Sequence, residues 1–117
     1  MEYEKSYFTG KAAVVTGSAS GIGLALVEAL LQSGAAKVAM VDISPDNLNI
    51  QGNRLNAQYN GKVKCFLCDV TDEEQVQQMM EASVAFFGGR LDLLFNNAGA
   101  LFSGWFDEVT NDMEKSI

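Results

Sequence analysis

An apolar, strand-like run leads directly into a glycine-rich turn over residues 12–23, AAVVTGSASGIG, and a helical pattern follows, LALVEALL over residues 24–31. The glycines stand at Gly17, Gly21 and Gly23, with the spacing G-x-x-x-G-x-G. In such a turn the first glycine bends the chain off the strand, the second lets the backbone approach a ligand, and the third lets the helix pack close to the sheet. Free backbone N–H groups and the positive end of the helix dipole then favour a nucleotide pyrophosphate. A plain strand-to-helix loop is the alternative for three glycines taken alone.

A second apolar run, VAMVD over residues 38–42, ends in a carboxylate. Asp42 lies 19 residues after Gly23, at the expected C-terminal end of the second strand. A carboxylate there accepts hydrogen bonds from an adenosine ribose and repels a 2′-phosphate. No Lys or Arg stands at residues 18–20 or directly after Asp42, where Ile43 and Ser44 follow. The sequence therefore favours NAD over NADP, and a turn or helix-capping aspartate is the alternative.

A third apolar run, residues 63–68, is followed by Asp69-Val70. A short acid at this position can hydrogen-bond an adenine amino group while Val70 packs beside the ring. The same segment also indicates a helix start, because Thr71 and Glu74 have the spacing of a capping box. The two interpretations are compatible.

A fourth apolar run, residues 91–95, leads into Asn96-Asn97-Ala98-Gly99. Small residues at the C-terminal end of a strand allow a ligand to approach the backbone closely. The two carboxamides can tie neighbouring strands together or contact a ribose.

The apolar runs and helical periodicities alternate along the chain. Near-continuous apolar runs are typical of parallel strands that are covered on both faces, and right-handed crossovers then give the strand order 3-2-1-4. We predict an α/β fold: a Rossmann-like, doubly wound parallel sheet with the order β-α-β-α-β-α-β, incomplete at the C-terminus, in one domain over residues 1–117. The second helix begins at Ser44-Pro45 and is weakened by Gly52, and we assign Met79 and Met80 of the third to the core. Strands are expected near 12–16, 38–42, 63–68 and 91–96, and helices near 22–33, 45–59 and 72–87, with a further helix starting near Thr110.

Composition excludes several classes of function. The net charge of −7 argues against nucleic acid as a partner. No apolar run approaches 18 residues, so we expect no membrane span, and residues 1–8 lack the apolar region of a secretory signal. Histidine is absent, and we expect no metal site. Cys65 and Cys68 form a C-x-x-C that elsewhere marks redox or zinc sites. In a strand, residues three apart face opposite sides, so we expect two reduced core cysteines and a cytoplasmic protein.

Taken together, these motifs resemble the classical short-chain dehydrogenase/reductase family over about residues 10–117. The resemblance implies an NAD-dependent oxidoreductase, a homo-oligomer, that transfers a hydride between nicotinamide and a secondary alcohol or ketone. A non-catalytic nucleotide-binding or regulatory partner module is the alternative. The cofactor-binding residues that the resemblance implies are Gly17, Ser20, Gly21, Ile22, Gly23, Asp42, Ile43, Asp69, Val70, Asn96, Ala98 and Gly99.

The resemblance carries over no catalytic residue. The family uses a Ser and a Tyr-x-x-x-Lys beyond the Asn-Asn-Ala-Gly turn, whereas Tyr3, Tyr7 and Tyr59 all precede that turn. Tyr7 and Lys11 have the Tyr-x-x-x-Lys spacing but stand before the first strand, so they do not match the family position. Asn111 comes too early to match the family asparagine. We therefore expect no dehydrogenase activity from these 117 residues alone. The fourth strand would be an open edge, so we expect a fragment of a longer protein, a chain covered by a partner, or marginal stability. The aromatic segment 100–106 either lines a pocket for an apolar alcohol or ketone or packs against other elements.

Overall fold

The computed structural model describes residues 7–98, in which four strands and three helices alternate. The predicted element order is confirmed throughout this range. The elements are β1 (Ala12–Thr16), α1 (Gly21–Gln32), β2 (Lys37–Asp42), α2 (Pro45–Gln58), β3 (Val63–Leu67), α3 (Glu73–Phe86) and β4 (Leu93–Asn96).

The strands form one parallel sheet in the order β3-β2-β1-β4, as predicted. Strand β1 pairs with β2 and β4, so that Thr16 lies opposite Val41 on one side and Asn96 on the other. Strand β2 pairs with β3, with Asp42 opposite Leu67. The C-terminal ends of all four strands therefore meet at one edge of the sheet, where the polar turns lie.

Helices cover both faces of the sheet, and side chains alternate between the two layers along each strand. On one face Ala13 and Val15 of β1 pack with buried residues of α1 and α2; on the other, Ala12 and Val14 pack with those of α3. The chain moves in one direction across the sheet from β1 to β3 and then returns past β1 to β4. Because crossovers are right-handed, this reversal puts α3 on the opposite face. The predicted core methionines Met79 and Met80 are each only 4% exposed.

Local hydrogen bonds shift two of the predicted boundaries. Strand β4 begins at Leu93 rather than residue 91, because Leu91 turns into the core and the Asp92 carboxylate accepts a hydrogen bond from Ala12 N–H at 2.8 Å. The N-cap of α3 is Asp72, not Thr71, so the predicted capping box is wrong. The Thr71 hydroxyl donates instead to Asp69 Oδ1 at 2.7 Å.

The two cysteines lie on opposite faces of the sheet, as predicted. Cys68, one residue beyond β3, is buried in the α3 layer, whereas Cys65 packs in the α1/α2 layer, and both are free thiols. Burial raises the pKa of both thiols. The expectation that Gly52 weakens α2 needs correction, since the helix is continuous through it. Gly52 is buried there, and a Cβ at this position would overlap the Cys65 sulfur.

Several predictions fall outside the described residues: Gly99, the segment 100–106, the helix near Thr110 and Asn111. Within residues 7–98, no helix combines the length and apolar character needed to cross a bilayer. The same range contains no grouping of His, Cys, Asp and Glu suited to a metal ion.

Candidate functional site

The glycine-rich loop joins β1 to α1 at the C-terminal edge of the sheet. Gly17 and Gly21 have φ values of +63° and +58°, in the left-handed region that favours glycine. A Cβ at Gly23 would overlap the Gly17 carbonyl oxygen, so α1 packs directly on the loop. A Cβ at Gly21 would meet nothing within 4 Å, so this part of the loop is open.

The first turn of α1 has free hydrogen-bond donors. Ser20 is the N-cap, but its side chain makes no capping bond, and no acidic residue lies in the first turn. Among residues 7–98, the N–H groups of Gly21, Ile22 and Gly23 have no acceptor, because the first intrahelical bond runs from Leu24 N–H to the Ser20 carbonyl. Uncapped N–H groups at the positive end of a helix dipole form an anion-binding arrangement.

The loop is fixed to the end of β2. Ser18, fully buried, donates both its N–H and its hydroxyl to the Val41 carbonyl at 3.2 Å. Ala19 N–H donates to Asp42 Oδ2 at 2.9 Å. The other oxygen of Asp42 accepts from Ile43 N–H at 2.8 Å and from Ser44 N–H at 3.0 Å. Asp42 thus fixes the glycine-rich loop and the turn after β2, which agrees with the predicted alternative of a turn aspartate.

The turn after β3 lies beside Asp42. Cys68 N–H donates to the Asp42 carbonyl at 3.0 Å, which brings Asp69 to the neighbouring strand end. Asp69 Oδ1 accepts from both the N–H and the hydroxyl of Thr71, at 2.9 and 2.7 Å. These bonds, that of the hydroxyl first, lower the pKa of Asp69, so the group is ionised at neutral pH. The side chain of Val70 packs against the hydrophobic layer under α3.

The turn after β4 is tied to β1 and to the glycine-rich loop. The buried Thr16 hydroxyl donates to Asn96 Oδ1 at 3.1 Å and accepts from Ala98 N–H at 3.1 Å. Asn97 Nδ2 donates to the Gly17 carbonyl at 3.2 Å. The two carboxamides were predicted either to tie neighbouring strands together or to contact a ribose, and in the structure both make hydrogen bonds to the neighbouring strand β1 or its turn. An added Cβ at Gly17 would lie 3.1 Å from Asn97 Nδ2, so this corner of the site is tightly packed.

The structure brings the predicted site residues up to Ala98 to one edge of the sheet. The sequence analysis missed four supporting residues: Thr16, Ser18 and Ala19, which fix the loop, and Gln75, which accepts from Asp69 N–H at 2.9 Å. Thr16 carried a signal, since it is a hydroxyl residue at a buried strand end directly before Gly17. Gln75 also carried a signal, since Asp72-x-x-Gln75 has the spacing of a capping box, one residue after the Thr71 and Glu74 pair that the sequence analysis chose.

The charge of this edge is negative. No Lys or Arg occurs in residues 12–36, 38–53, 65–89 or 91–98. Asp42, Asp69 and Asp72 therefore have no cationic neighbour in the turns that form the site. An anion bound here depends on backbone N–H groups and on the α1 dipole, because no basic side chain is available in these turns.

Comparison with known proteins agrees with this architecture. A short chain dehydrogenase family model matches residues 11–117. The chain is 46% identical over 90 residues to (+)-borneol dehydrogenase 1 of Salvia officinalis, covering 77% of this chain and 32% of that protein. It is 44% identical over 94 residues to 15-hydroxyprostaglandin dehydrogenase [NAD(+)] of Rattus norvegicus, covering 80% of this chain and 35% of the relative. The crystal structure of L-sorbose reductase from Gluconobacter frateurii, complexed with NADPH and L-sorbose, superposes with a TM-score of 0.71 at 37% identity. That match covers 78% of this chain and 34% of the reductase.

A parallel sheet of this order with a glycine-rich loop at its C-terminal edge defines a nucleotide-binding domain of the Rossmann type. The chain belongs to the short-chain dehydrogenase family. It spans about a third of the length of the curated relatives it matches.

Proposed function

We propose that this chain is the NAD-binding part of an oxidoreductase that transfers a hydride between nicotinamide and a secondary alcohol or ketone. The observation that carries the proposal is the open first turn of α1 beside the Asp42 carboxylate. The names of the relatives, two dehydrogenases and a reductase, support the reaction class. The free thiols of Cys65 and Cys68 fit a cytoplasmic protein, and a homo-oligomer is the expected assembly.

The donors of the site fit a dinucleotide. The N–H groups of Gly21, Ile22 and Gly23 would bind the pyrophosphate, and the open space at Gly21 lets it approach the backbone. Asp42 would accept hydrogen bonds from the adenosine ribose, and Asp69 would receive the adenine amino group. Asn96 and Ala98 lie at the β4 end, where the second ribose is expected. The bound nicotinamide supplies the hydride acceptor or donor, and the residues described here bind and orient it.

The preference for NAD rests on charge. A 2′-phosphate would meet the Asp42 carboxylate, and no Lys or Arg occurs in the adjoining turns to neutralise it. The carboxylate is also held in place, because three backbone N–H groups donate to it. It therefore cannot rotate away from a 2′-phosphate without losing those bonds.

The test is a fluorescence titration of the 117-residue chain with NADH and, separately, with NADPH. We expect saturable NADH binding that is at least about tenfold tighter than NADPH binding, given a repulsion of about 1.4 kcal/mol or more. Asp42→Asn should reduce that ratio, because it removes the charge, and should weaken NADH as well, because an amide nitrogen would face Ala19 N–H. Asp46→Asn is the matched control, because Asp46 is exposed in the first turn of α2 and its replacement changes the net charge by the same amount. Equal affinities for the two cofactors in the unmodified chain would refute the NAD preference, and no binding of either would refute the proposed function.

A further inference from the structure

Gln75 makes an unusual set of hydrogen bonds at the start of α3. It is the third residue of the helix after the Asp72 N-cap, and its own N–H donates to Asp72 Oδ1 at 3.2 Å. A glutamine at this position commonly reaches back to the N–H of the N-cap residue. Here the Asp72 N–H already donates to the Asp69 carbonyl at 3.0 Å. The Gln75 side chain extends past the cap instead and accepts from Asp69 N–H at 2.9 Å.

The orientation of the Gln75 amide is determined by its two partners. Its Oε1 faces the Asp69 N–H, and its Nε2 donates to Asp72 Oδ2 at 3.2 Å. A flipped amide would place two donors together at Asp69 and two acceptors together at Asp72. The side chain therefore connects the turn that follows β3 to the first turn of α3 in one arrangement only.

The Asp69 carboxylate is left with one oxygen for a ligand. Thr71 donates twice to Oδ1, whereas Oδ2 has no hydrogen-bond partner among residues 7–98. The position of Oδ2 depends on the Asp69 backbone, which is held at two points. The Asp69 N–H donates to Gln75 Oε1, and the Asp69 carbonyl accepts from the Asp72 N–H.

We infer that Gln75 is a positioning residue for adenine recognition: by fixing the Asp69 backbone, it places Oδ2 where it accepts a hydrogen bond from the adenine 6-amino group. The inference rests on the proposed function, since it requires a bound adenine nucleotide. It differs from a helix-capping role, because capping alone would make binding of every dinucleotide depend on Gln75 to the same extent.

The experiment compares NADH with reduced nicotinamide hypoxanthine dinucleotide, in which an oxo group replaces the 6-amino group. Both carry the same reduced nicotinamide, so one fluorescence titration serves for both. We expect the unmodified chain to bind NADH at least about tenfold more tightly, as one hydrogen bond to a charged acceptor would give. Gln75→Leu should reduce this ratio to below about twofold, mainly by weakening NADH. Gln77→Leu, the same substitution at an exposed position of α3 where the amide donates to Glu81 Oε1 at 3.3 Å, should leave the ratio unchanged.

An independent arm tests the acceptor itself. In Asp69→Asn the amide oxygen can still accept from Thr71, so the amide nitrogen takes the place of Oδ2 and donates to the oxo group of hypoxanthine. We expect the preference to reverse in favour of the hypoxanthine dinucleotide. Gln75→Ala, a stronger helix former, repeats the Gln75 test if the leucine variant does not fold.

The outcomes separate the two proposals. A ratio that persists in Gln75→Leu, with both dinucleotides weakened equally, would show that Gln75 only caps the helix and would overturn the inference. Equal binding of the two dinucleotides by the unmodified chain would also overturn it, because Oδ2 would then not read the 6-amino group. If the unmodified chain binds neither dinucleotide, the proposed function itself fails.

Discussion

Replacing Gly52 by alanine should destabilise the protein, although alanine is the better helix former. Gly52 is buried in the middle of α2 and faces β3. The Cys65 thiol donates to the Leu48 carbonyl at 3.5 Å, and Leu48 lies one helical turn before Gly52. The sulfur therefore occupies a notch on the surface of α2, and a Cβ at position 52 would overlap it.

The expected magnitude follows from two opposing terms. Alanine in place of a helical glycine gains roughly 0.5–1 kcal/mol of helix propensity. Forcing an extra methyl into a filled site costs about 1–3 kcal/mol. The net effect of Gly52→Ala is then a loss of about 1 kcal/mol in the free energy of unfolding. In a Cys65→Ala background the sulfur is absent, so the same replacement should stabilise by roughly 0.5–1 kcal/mol, and its sign should reverse.

Urea unfolding, followed by far-ultraviolet circular dichroism, measures all four proteins of this double-mutant cycle. The coupling between the two sites should be about 2 kcal/mol, the difference between the two backgrounds. Asn53→Ala, at the next residue of α2 and exposed, controls for helix propensity and should not depend on Cys65. If Gly52→Ala stabilises the unmodified chain, or has the same sign in both backgrounds, the steric argument is wrong.

Two further predictions concern the loop and the acid stability. Gly23→Ala should cost about 1–3 kcal/mol of stability and weaken NADH at least about tenfold, because the overlapping atom is the Gly17 carbonyl, part of the backbone; unchanged urea midpoints and titrations would contradict this. Partial burial alone would raise the pKa of Asp92, but hydrogen bonds from Ala12 N–H and Arg90 outweigh it and lower the pKa. The resulting stability is complete above the ordinary carboxyl pKa of about 3.9 and is lost as the pH falls through the lower folded value. Asp92→Asn should therefore flatten the loss of stability as the pH falls below about 4, measured by urea midpoints; an equally steep loss would refute this role.

The sheet could be predicted from sequence because its signals are local and repeated. Each strand is an apolar run that ends at a polar turn, and the glycine-rich turn directly after β1 indicates the dinucleotide-binding order 3-2-1-4, which right-handed crossovers allow. The opposite directions of Cys65 and Cys68 followed from strand geometry in the same way.

The details that could not be predicted depend on contacts between distant residues. Gly52 weakens a helix by propensity, yet it fits this site because a side chain here would overlap the sulfur of Cys65, which lies on a different element. Thr71 has the residue type and spacing of an N-cap, but its hydroxyl donates to the Asp69 carboxylate instead of capping the helix. The bond from Ala19 to Asp42 joins residues 23 positions apart. Neither the hydrophobic periodicity of the sequence nor the helix and strand propensities of its residues indicate such contacts.

The hydrogen bond between the turns that follow β1 and β4 has a consequence for synthesis of the chain. The glycine-rich loop is made early, but Asn97, which holds the Gly17 carbonyl, is encoded 80 residues later. At translation rates of about 5–20 residues per second, this interval lasts about 4–16 s. During that time the nascent chain has the loop without the strand that completes it. Cofactor capture on the ribosome should therefore begin only after β4 and the turn beyond it have left the exit tunnel.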